Sequence, residues 1–292
     1  MSGQDQFSRK TYFTKRACQE CGHKYDPTLS SCPACGAKNP DKKANSYRNF
    51  LHVHPLKEAG FIAIGLVGLS ILATIVQLIL LLVARPSDQL AYLNSGEGLF
   101  WTYAFAYPLI FAFMGLLLWK DWKSVLTSFK NWKAYVAGFI GYAAIMVFSI
   151  AYNLILNAIF EANGMVVPDT NANQSNVISM VLYGPAACIF IIGLIGPFSE
   201  ELAYRVGLFG LGARLGKWVG YVLGILVFAF IHFDFTSIGT EAIVSELISL
   251  PNYLFSGAVL CFLYDKFGIC GSWIGHALNN LQSVVLIIIQ GK

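Results

Sequence analysis

One uninterrupted apolar stretch constrains this chain more than any other feature of its sequence. Ala59–Ala84 contains 26 residues and no charged side chain. A helix that crosses the hydrocarbon core of a bilayer, about 30 Å thick, needs roughly 20 apolar residues at about 1.5 Å of rise each. Charged residues make up only 12% of the 292 residues, against about 25% in soluble domains. The sequence therefore predicts a helical membrane protein, excludes a disordered chain and disfavours a water-soluble globule.

Several further apolar segments follow the first one. We predict an all-α fold, a polytopic transmembrane helical bundle of about seven to eight spans preceded by a small polar head. The seven segments are Ala59–Ala84, Leu99–Trp119, Ala134–Phe160, Val177–Ser199, Trp218–Phe233, Leu247–Tyr264 and Phe267–Gln290. We expect the fourth to continue as an amphipathic helix toward Arg214. The segment Asp234–Glu246 could re-enter the membrane as an eighth, half-length span.

The chain divides into a polar head and linker at residues 1–57 and a transmembrane domain at residues 58–292. We expect no cleaved signal peptide, because the first apolar block is too long and lacks a small-residue cleavage motif. Ten of the 20 Lys and Arg residues precede the first span. Basic flanks stay in the cytoplasm, and with the N-terminus there 17 basic residues are cytoplasmic, whereas Arg85 and Lys292 are outside.

The basic flank could lie against anionic lipid. We do not expect a nucleic-acid partner, because its charges do not form a readable motif. The predicted location is therefore an integral membrane position with a cytoplasmic N-terminus.

Four cysteines in the head form two knuckles of the pattern Cys-x-x-Cys-Gly. They are Cys18, Cys21, Cys32 and Cys35. Four thiolates on two tight turns suit tetrahedral zinc, and the glycines Gly22 and Gly36 allow such turns. Two disulfides are the alternative, which the reducing cytoplasm disfavours. The segment Cys18–Asn39 resembles a small zinc ribbon, so we predict a structural zinc in a module that is either structural or a docking site for a cytoplasmic protein partner.

Five ionisable residues lie within or at the end of the later apolar segments, where such groups are costly. They are Glu200, Glu201, Arg205, His232 and His276, with Asn280 as a polar companion. Glu201 and Arg205 are four residues apart and can pair on one helix face. Glu200 points about 100° away and could serve as a general base. The alternative is a salt-bridge cluster at a helix end.

Two histidine patterns accompany the glutamates. Phe228 precedes His232 by one helical turn and could pack on its ring, and His276 shares a helix face with Asn280. Imidazole and carboxamide groups can bind a metal, hold a water or stabilise an oxyanion. Ordinary packing and interhelical hydrogen bonds are the alternative for both pairs.

Together these patterns resemble the CPBP family of CAAX prenyl endopeptidases and their bacterial relatives, also called Abi proteins. The resemblance rests on Glu200-Glu201-xxx-Arg205, Phe228-xxx-His232 and His276-xxx-Asn280 in this order, and it covers about residues 134–290. It implies an intramembrane protease whose active site opens toward the cytoplasm. Glu200 would activate water, and His232 would help to hold it or take part as a base. His276 and Asn280 would bind the nucleophile or the oxyanion. Glu201 and Arg205 would orient the site.

The resemblance leaves a catalytic metal open. Glu200 and the two histidines could bind zinc with one free position, or hold water without a metal. The predicted substrate is a peptide or a membrane protein, which could carry a lipid, in a bacterial plasma membrane. A non-catalytic scaffold or regulator, for example in bacteriocin immunity, and a transporter are the competing functions. The intact motifs disfavour the scaffold or regulator, and the lack of internal repeats disfavours the transporter.

Overall fold

The computed structural model describes residues 15–25, 29, 31–39, 49–51, 53–168 and 170–291. The basic residues of the predicted flank that lie outside these ranges are Arg9, Lys10, Lys42, Lys43 and Arg48. The all-α architecture that the sequence predicts is confirmed. Within the described ranges, the strands are a two-residue pair in the head, β1 (Arg16–Ala17) and β2 (Lys24–Tyr25), which pair antiparallel.

Nine helices follow in the described part of the chain, and we number them in order. They are α1 (Pro55–Ala84), α2 (Gln89–Leu93), α3 (Gly96–Leu117), α4 (Trp122–Ser128), α5 (Trp132–Ala162), α6 (Ala172–Tyr183), α7 (Pro185–Ala213), α8 (Lys217–Phe230) and α9 (Thr240–Gln290). Of these, α1, α3, α5, α7 and α9 are long and apolar enough to cross a membrane.

The longest helix, α9, contains two of the predicted spans. Gly268 within it has φ 73° and ψ −169°, so two helical arms meet at a kink there. A side chain is rarely compatible with such a φ, and glycine adopts it freely. The helix α8 has 14 residues and corresponds to the short fifth segment. The segment Asp234–Glu246 divides between a loop and the first turns of α9.

The predicted boundary of the fourth span is wrong. Val177–Ser199 crosses the end of α6 at Tyr183, and α7 begins after Gly184 with Pro185 in its first turn. Proline lacks the N–H that would continue the preceding helix but fits the start of a new one. The apolar helix therefore begins eight residues later than the prediction, and it continues to Ala213.

Small residues let the helices approach closely around α7 and α9. A Cβ atom at Gly65 in α1 would lie 2.4 Å from the Cβ atom of Ala203 in α7, and one at Gly138 in α5 would lie 2.7 Å from Ile274. Close approach through small residues is typical of helix packing in membranes. The first contact holds α7, which carries the two glutamates, close to α1, and the second holds α5 close to α9.

Candidate active site and cysteine site

The two glutamates lie on α7 between two stretches of π-helix, Ile191–Ile195 and Leu202–Phe209. Pro197 has no N–H to donate to the carbonyl four residues earlier, which interrupts the α-helical ladder at this point. In the first stretch, the carbonyls of Ile192 and Leu194 accept hydrogen bonds from side chains of α9. Single π-turns inside α-helices are frequent at functional sites.

Glu201 and Arg205 form a fully buried ion pair. Glu201 Oε1 lies 3.2 Å from Arg205 Nη1, and neither side chain is exposed. The guanidinium also lies 4.4 Å from the centre of the Phe228 ring. A buried charge is tolerated when an opposite charge compensates it. The ion pair that the four-residue spacing predicts is therefore present, and both side chains are fully buried.

The same carboxylate oxygen accepts a hydrogen bond from His276. The Nδ1 atom of His276 is 2.9 Å from Glu201 Oε1. Since an ionised carboxylate only accepts hydrogen bonds, Nδ1 carries the proton in this contact. A neutral ring then has an unprotonated Nε2, which lies 3.7 Å from Glu200 Oε2. Glu201 thus sets the tautomer of His276 and directs its other nitrogen toward Glu200.

His232 is oriented in a similar way by a backbone carbonyl. Its Nδ1 atom lies 2.7 Å from the carbonyl oxygen of Phe228, so Nδ1–H donates and Nε2 of a neutral ring accepts. The ring of Tyr253 stacks on the imidazole at a centroid distance of 4.5 Å, and Phe228 packs against it at 4.9 Å. The predicted contact between Phe228 and His232 is present.

A cavity of about 670 Å³ joins these groups. Glu200, His232, His276 and Asn280 line it, whereas Glu201 and Arg205 do not. The six residues predicted for the site therefore divide into four that face the cavity and two buried behind them. Asn280 donates one amide hydrogen to the Ile192 carbonyl at 3.1 Å, which leaves its second amide hydrogen for another acceptor.

Four polar residues near the site were missed by the sequence analysis. Tyr107 donates its hydroxyl to Glu200 Oε1 at 3.4 Å, and Tyr253 and Asn252 line the cavity beside His232. Glu246, 1% exposed, accepts from the backbone N–H groups of Ala172 and Asp234. Of the four, Glu246 had a recognisable signal in the sequence, because it is a carboxylate near the start of a long apolar segment. The tyrosines cannot be distinguished from core aromatics by sequence alone.

A catalytic metal would require three or more ligand atoms close together. Among the described residues, one group of three or more His, Cys, Asp or Glu side chains has its ligand atoms close together, and it is the head cysteines. Glu200 and the two histidines do not form a second such group in this conformation. We therefore derive no catalytic step through a metal.

The four cysteines of the head come together as two equivalent turns. In the first, Gly22 N donates to the Cys18 carbonyl, and in the second Gly36 N donates to the Cys32 carbonyl, both at 2.9 Å. Both glycines have positive φ, 71° and 74°, a conformation that favours glycine. The repeated geometry presents two thiols from each turn to the same point.

The sulfur positions fit a tetrahedral metal. All four Sγ atoms lie within 4.8 Å of one another, with 3.6 Å between Cys18 and Cys35 and 3.7 Å between Cys21 and Cys32. Zn–S bonds of about 2.3 Å at tetrahedral angles separate the sulfurs by about 3.8 Å. A disulfide would need about 2.05 Å. The pKa of the Cys18 thiol is lowered to about 7, chiefly by a hydrogen bond from the backbone of Cys21. The four cysteines can therefore hold a metal.

Comparison with known proteins supports the assignment of the apolar domain. Residues 182–282 match the family model described as Type II CAAX prenyl endopeptidase Rce1-like. The matched segment contains all six residues predicted for the catalytic site, so the resemblance stated from the motifs is confirmed. Searches of curated proteins and of solved structures give no match. This similarity supports a membrane-embedded protease.

Proposed function

We propose that this chain hydrolyses peptide bonds inside the membrane with water that Glu200 activates. The observation that carries the proposal is the position of Glu200. It lines a cavity of about 670 Å³, and its Oε2 atom lies 3.7 Å from His276 Nε2. The neighbouring Glu201 does not line this cavity and is fully buried with Arg205. Two adjacent carboxylates thus have different surroundings, which suits one for proton transfer and the other for orientation.

Glu200 acts as the general base in this scheme. Its Oε2 atom has no hydrogen-bond partner among the described residues, so it is available to accept a proton from water. The water oxygen then forms a bond to the carbonyl carbon of the substrate. Amide hydrolysis requires such activation because neutral water is a weak nucleophile.

The histidines hold the water. Each donates Nδ1–H to a fixed acceptor, Glu201 for His276 and the Phe228 carbonyl for His232. The Nε2 atom of either ring can therefore accept one hydrogen of the water while Glu200 accepts the other, which orients the lone pair of the water oxygen. A group that fixes the tautomer of a catalytic histidine is a general device of hydrolases.

Asn280 and Glu200 complete the reaction. The amide hydrogen that Asn280 does not give to Ile192 can donate to the oxyanion of the tetrahedral intermediate. The C–N bond then breaks, and the proton that Glu200 took from water passes to the leaving amine. The carboxylate of Glu200 is thereby restored.

The head and the topology complete the proposal. Residues 1–57 form a cytoplasmic zinc-ribbon module and linker, and residues 58–292 form the transmembrane domain of a bacterial plasma-membrane protein. The charge distribution supports the cytoplasmic N-terminus, and the sulfur distances support zinc at Cys18, Cys21, Cys32 and Cys35. The substrate is a peptide or membrane protein, and a cytoplasmic protein docks on the head.

The test compares protein termini in membranes and medium of cells that make the wild type or Glu200→Gln. This substitution keeps the shape of the side chain and removes the base. We expect new termini only with the wild type, and they would identify the substrate. Glu241→Gln, at an exposed position in the first turn of α9, is the matched control and should behave as wild type. Identical termini with all three proteins would favour the scaffold function.

A further inference from the structure

His232 lies just beyond the end of a helix, and its ring is directed back toward that helix. The last residue of α8 is Phe230, and the Nδ1–H of His232 donates to the Phe228 carbonyl at 2.7 Å. Residues past a helix end lack the regular hydrogen bonds that fix the backbone inside the helix. The direction of the imidazole therefore depends on what holds the segment that follows it.

The side chain of Glu246, on the first arm of α9, holds that segment from the other side. It is 1% exposed, and its Oε2 atom accepts from the backbone N–H of Asp234 at 3.1 Å. Its Oε1 atom accepts from the N–H of Ala172, the first residue of α6, at 2.9 Å. One carboxylate thus joins α9 to the start of α6 and to the backbone two residues after His232.

Asn171 extends this contact to His232 itself. Its Nδ2 group lies 3.4 Å from Glu246 Oε2 and 3.3 Å from the carbonyl oxygen of His232. Its Oδ1 atom accepts from the N–H of Gln174 at 3.1 Å and so caps the N-terminus of α6. The backbone of His232 is therefore held to the same point as the start of α6.

The segment that Glu246 anchors is a turn tied to itself, residues 234–237. The carboxylate of Asp234 accepts from the N–H and the hydroxyl of Thr236 at 2.8 and 2.6 Å, and from the Ser237 hydroxyl at 3.2 Å. An Asp side chain that bonds the backbone two residues later stabilises such turns. An anchor at the single N–H of Asp234 consequently fixes the turn as a unit.

Three converging N–H groups take the place of a cation at Glu246. Among the described residues, its carboxylate takes part in no ion pair. A buried carboxylate is costly unless hydrogen bonds or opposite charge compensate it. Here the N–H groups do so, together with the positive end of the α6 dipole. Since an ionised carboxylate only accepts hydrogen bonds, an amide in its place would turn a donor toward other donors.

We propose that Glu246 is a positioning residue for His232. Through Asn171 and the turn at residues 234–237, it holds the backbone from which the imidazole is directed into the cavity. Glu246 itself does not line the cavity, so it acts through His232 and not on the substrate. The inference rests on the proposed function, because it takes His232 as a residue that holds the attacking water.

The first test measures the His232 ring without any substrate. The full-length chain is prepared in nanodiscs with 15N-labelled histidine, and loss of signals in His232→Gln identifies this ring among the five histidines. We expect Nδ1 to be protonated in the wild type and the tautomer protonated at Nε2 to appear in Glu246→Gln. Glu241→Gln makes the same change at an exposed position of α9 and should leave the spectrum of His232 unchanged.

The second test separates positioning from substrate contact. On a substrate found by terminal mass spectrometry, Glu246→Gln should lower kcat by about 10-fold, the effect of losing one hydrogen bond to a charged group. KM should stay at the wild-type value because Glu246 does not line the cavity. Glu241→Gln should leave both constants unchanged.

A milder variant tests the same path if Glu246→Gln does not fold. Asn171→Ser retains an oxygen that can cap α6 but removes the Nδ2 group that contacts His232 and Glu246. Asn131→Ser is its matched control, because Asn131 caps α5 at an exposed position by accepting from Lys133 N. We expect the spectrum of His232 to change in Asn171→Ser and to remain that of the wild type in Asn131→Ser.

The outcomes distinguish this inference from the proposed function. A wild-type spectrum of His232 in Asn171→Ser and in folded Glu246→Gln overturns the positioning role, and so does a loss of activity that lies in KM alone. A changed spectrum together with a wild-type chain that cleaves no protein would leave the positioning of His232 standing and overturn the proposed function.

Discussion

The fully buried carboxylate of Glu201 accepts a hydrogen bond from Nδ1 of His276 at 2.9 Å. This contact joins α7 to the second arm of α9, over a separation of 75 residues. It fixes which nitrogen of the imidazole carries the proton and turns the other nitrogen toward Glu200.

We expect Glu201→Gln to lower kcat by at least about 100-fold, because the amide nitrogen can donate to His276 and favour the wrong tautomer. KM should change little, since Glu201 does not line the cavity. Steady-state kinetics on a substrate found by terminal mass spectrometry would measure this. An unchanged kcat would remove Glu201 from the mechanism.

Arg205→Gln should destabilise the fold. It leaves the Glu201 charge buried without its partner, which typically costs about 3–5 kcal/mol. Thermal unfolding in detergent would detect the loss. The double variant Glu201→Gln/Arg205→Gln should recover much of the stability but not the activity. A double variant less stable than Arg205→Gln would show that the pair is not the cause.

Tyr253 should position His232 mainly through its ring. The rings stack at 4.5 Å with an angle of 15°. Loss of such an aromatic contact costs up to about 1.5 kcal/mol, or about 10-fold in rate. We expect Tyr253→Leu to lose about this much kcat and Tyr253→Phe to retain nearly all of it. Equal losses in both variants would assign the role to the hydroxyl, which contacts Asn171 and Asn173.

The contact between α1 and α7 can be tested at one glycine. A Cβ atom at Gly65 would lie 2.4 Å from that of Ala203, so Gly65→Ala should destabilise the fold by about 1–3 kcal/mol through overpacking. At Gly68, three residues later, a Cβ would meet Ile110 at an ordinary 3.6 Å. Gly68→Ala should therefore have the melting temperature of the wild type. Equal melting temperatures of the two variants would contradict the packing argument.

The head should bind about one zinc per chain, since four thiolates complete a tetrahedral site. Elemental analysis of the purified protein would measure the metal. Cys21→Ser should lose most of it, whereas Cys270→Ser, the same change at a buried position of α9, should retain it. Retention in both variants would locate the metal elsewhere.

Local periodicity predicts contacts within one helix but not between helices. The pairing of Glu201 with Arg205 follows from four-residue spacing alone. The contact of Glu201 with His276 depends on how α7 and α9 pack, which no local pattern specifies. The break at Gly184 has a local signal in Gly184-Pro185, but the apolar run on either side obscures it. Asn252 was missed because a single amide in an apolar segment does not form a periodic pattern.

The segment that leads from the head contacts α9 at the Gly268 kink. Asn49 donates to the carbonyl of Lys266, and a Cβ at Gly268 would lie 2.7 Å from the Asn49 carbonyl oxygen. Ten peptide units separate Asn49 from Asn39 at the end of the described head, and they span at most about 35 Å. Asn39 therefore lies within about 35 Å of the helix that carries His276, and a protein that bound the head would be tethered close to that helix. Such tethering typically gives an effective concentration in the millimolar range, so weak recognition by the head would suffice to deliver a substrate.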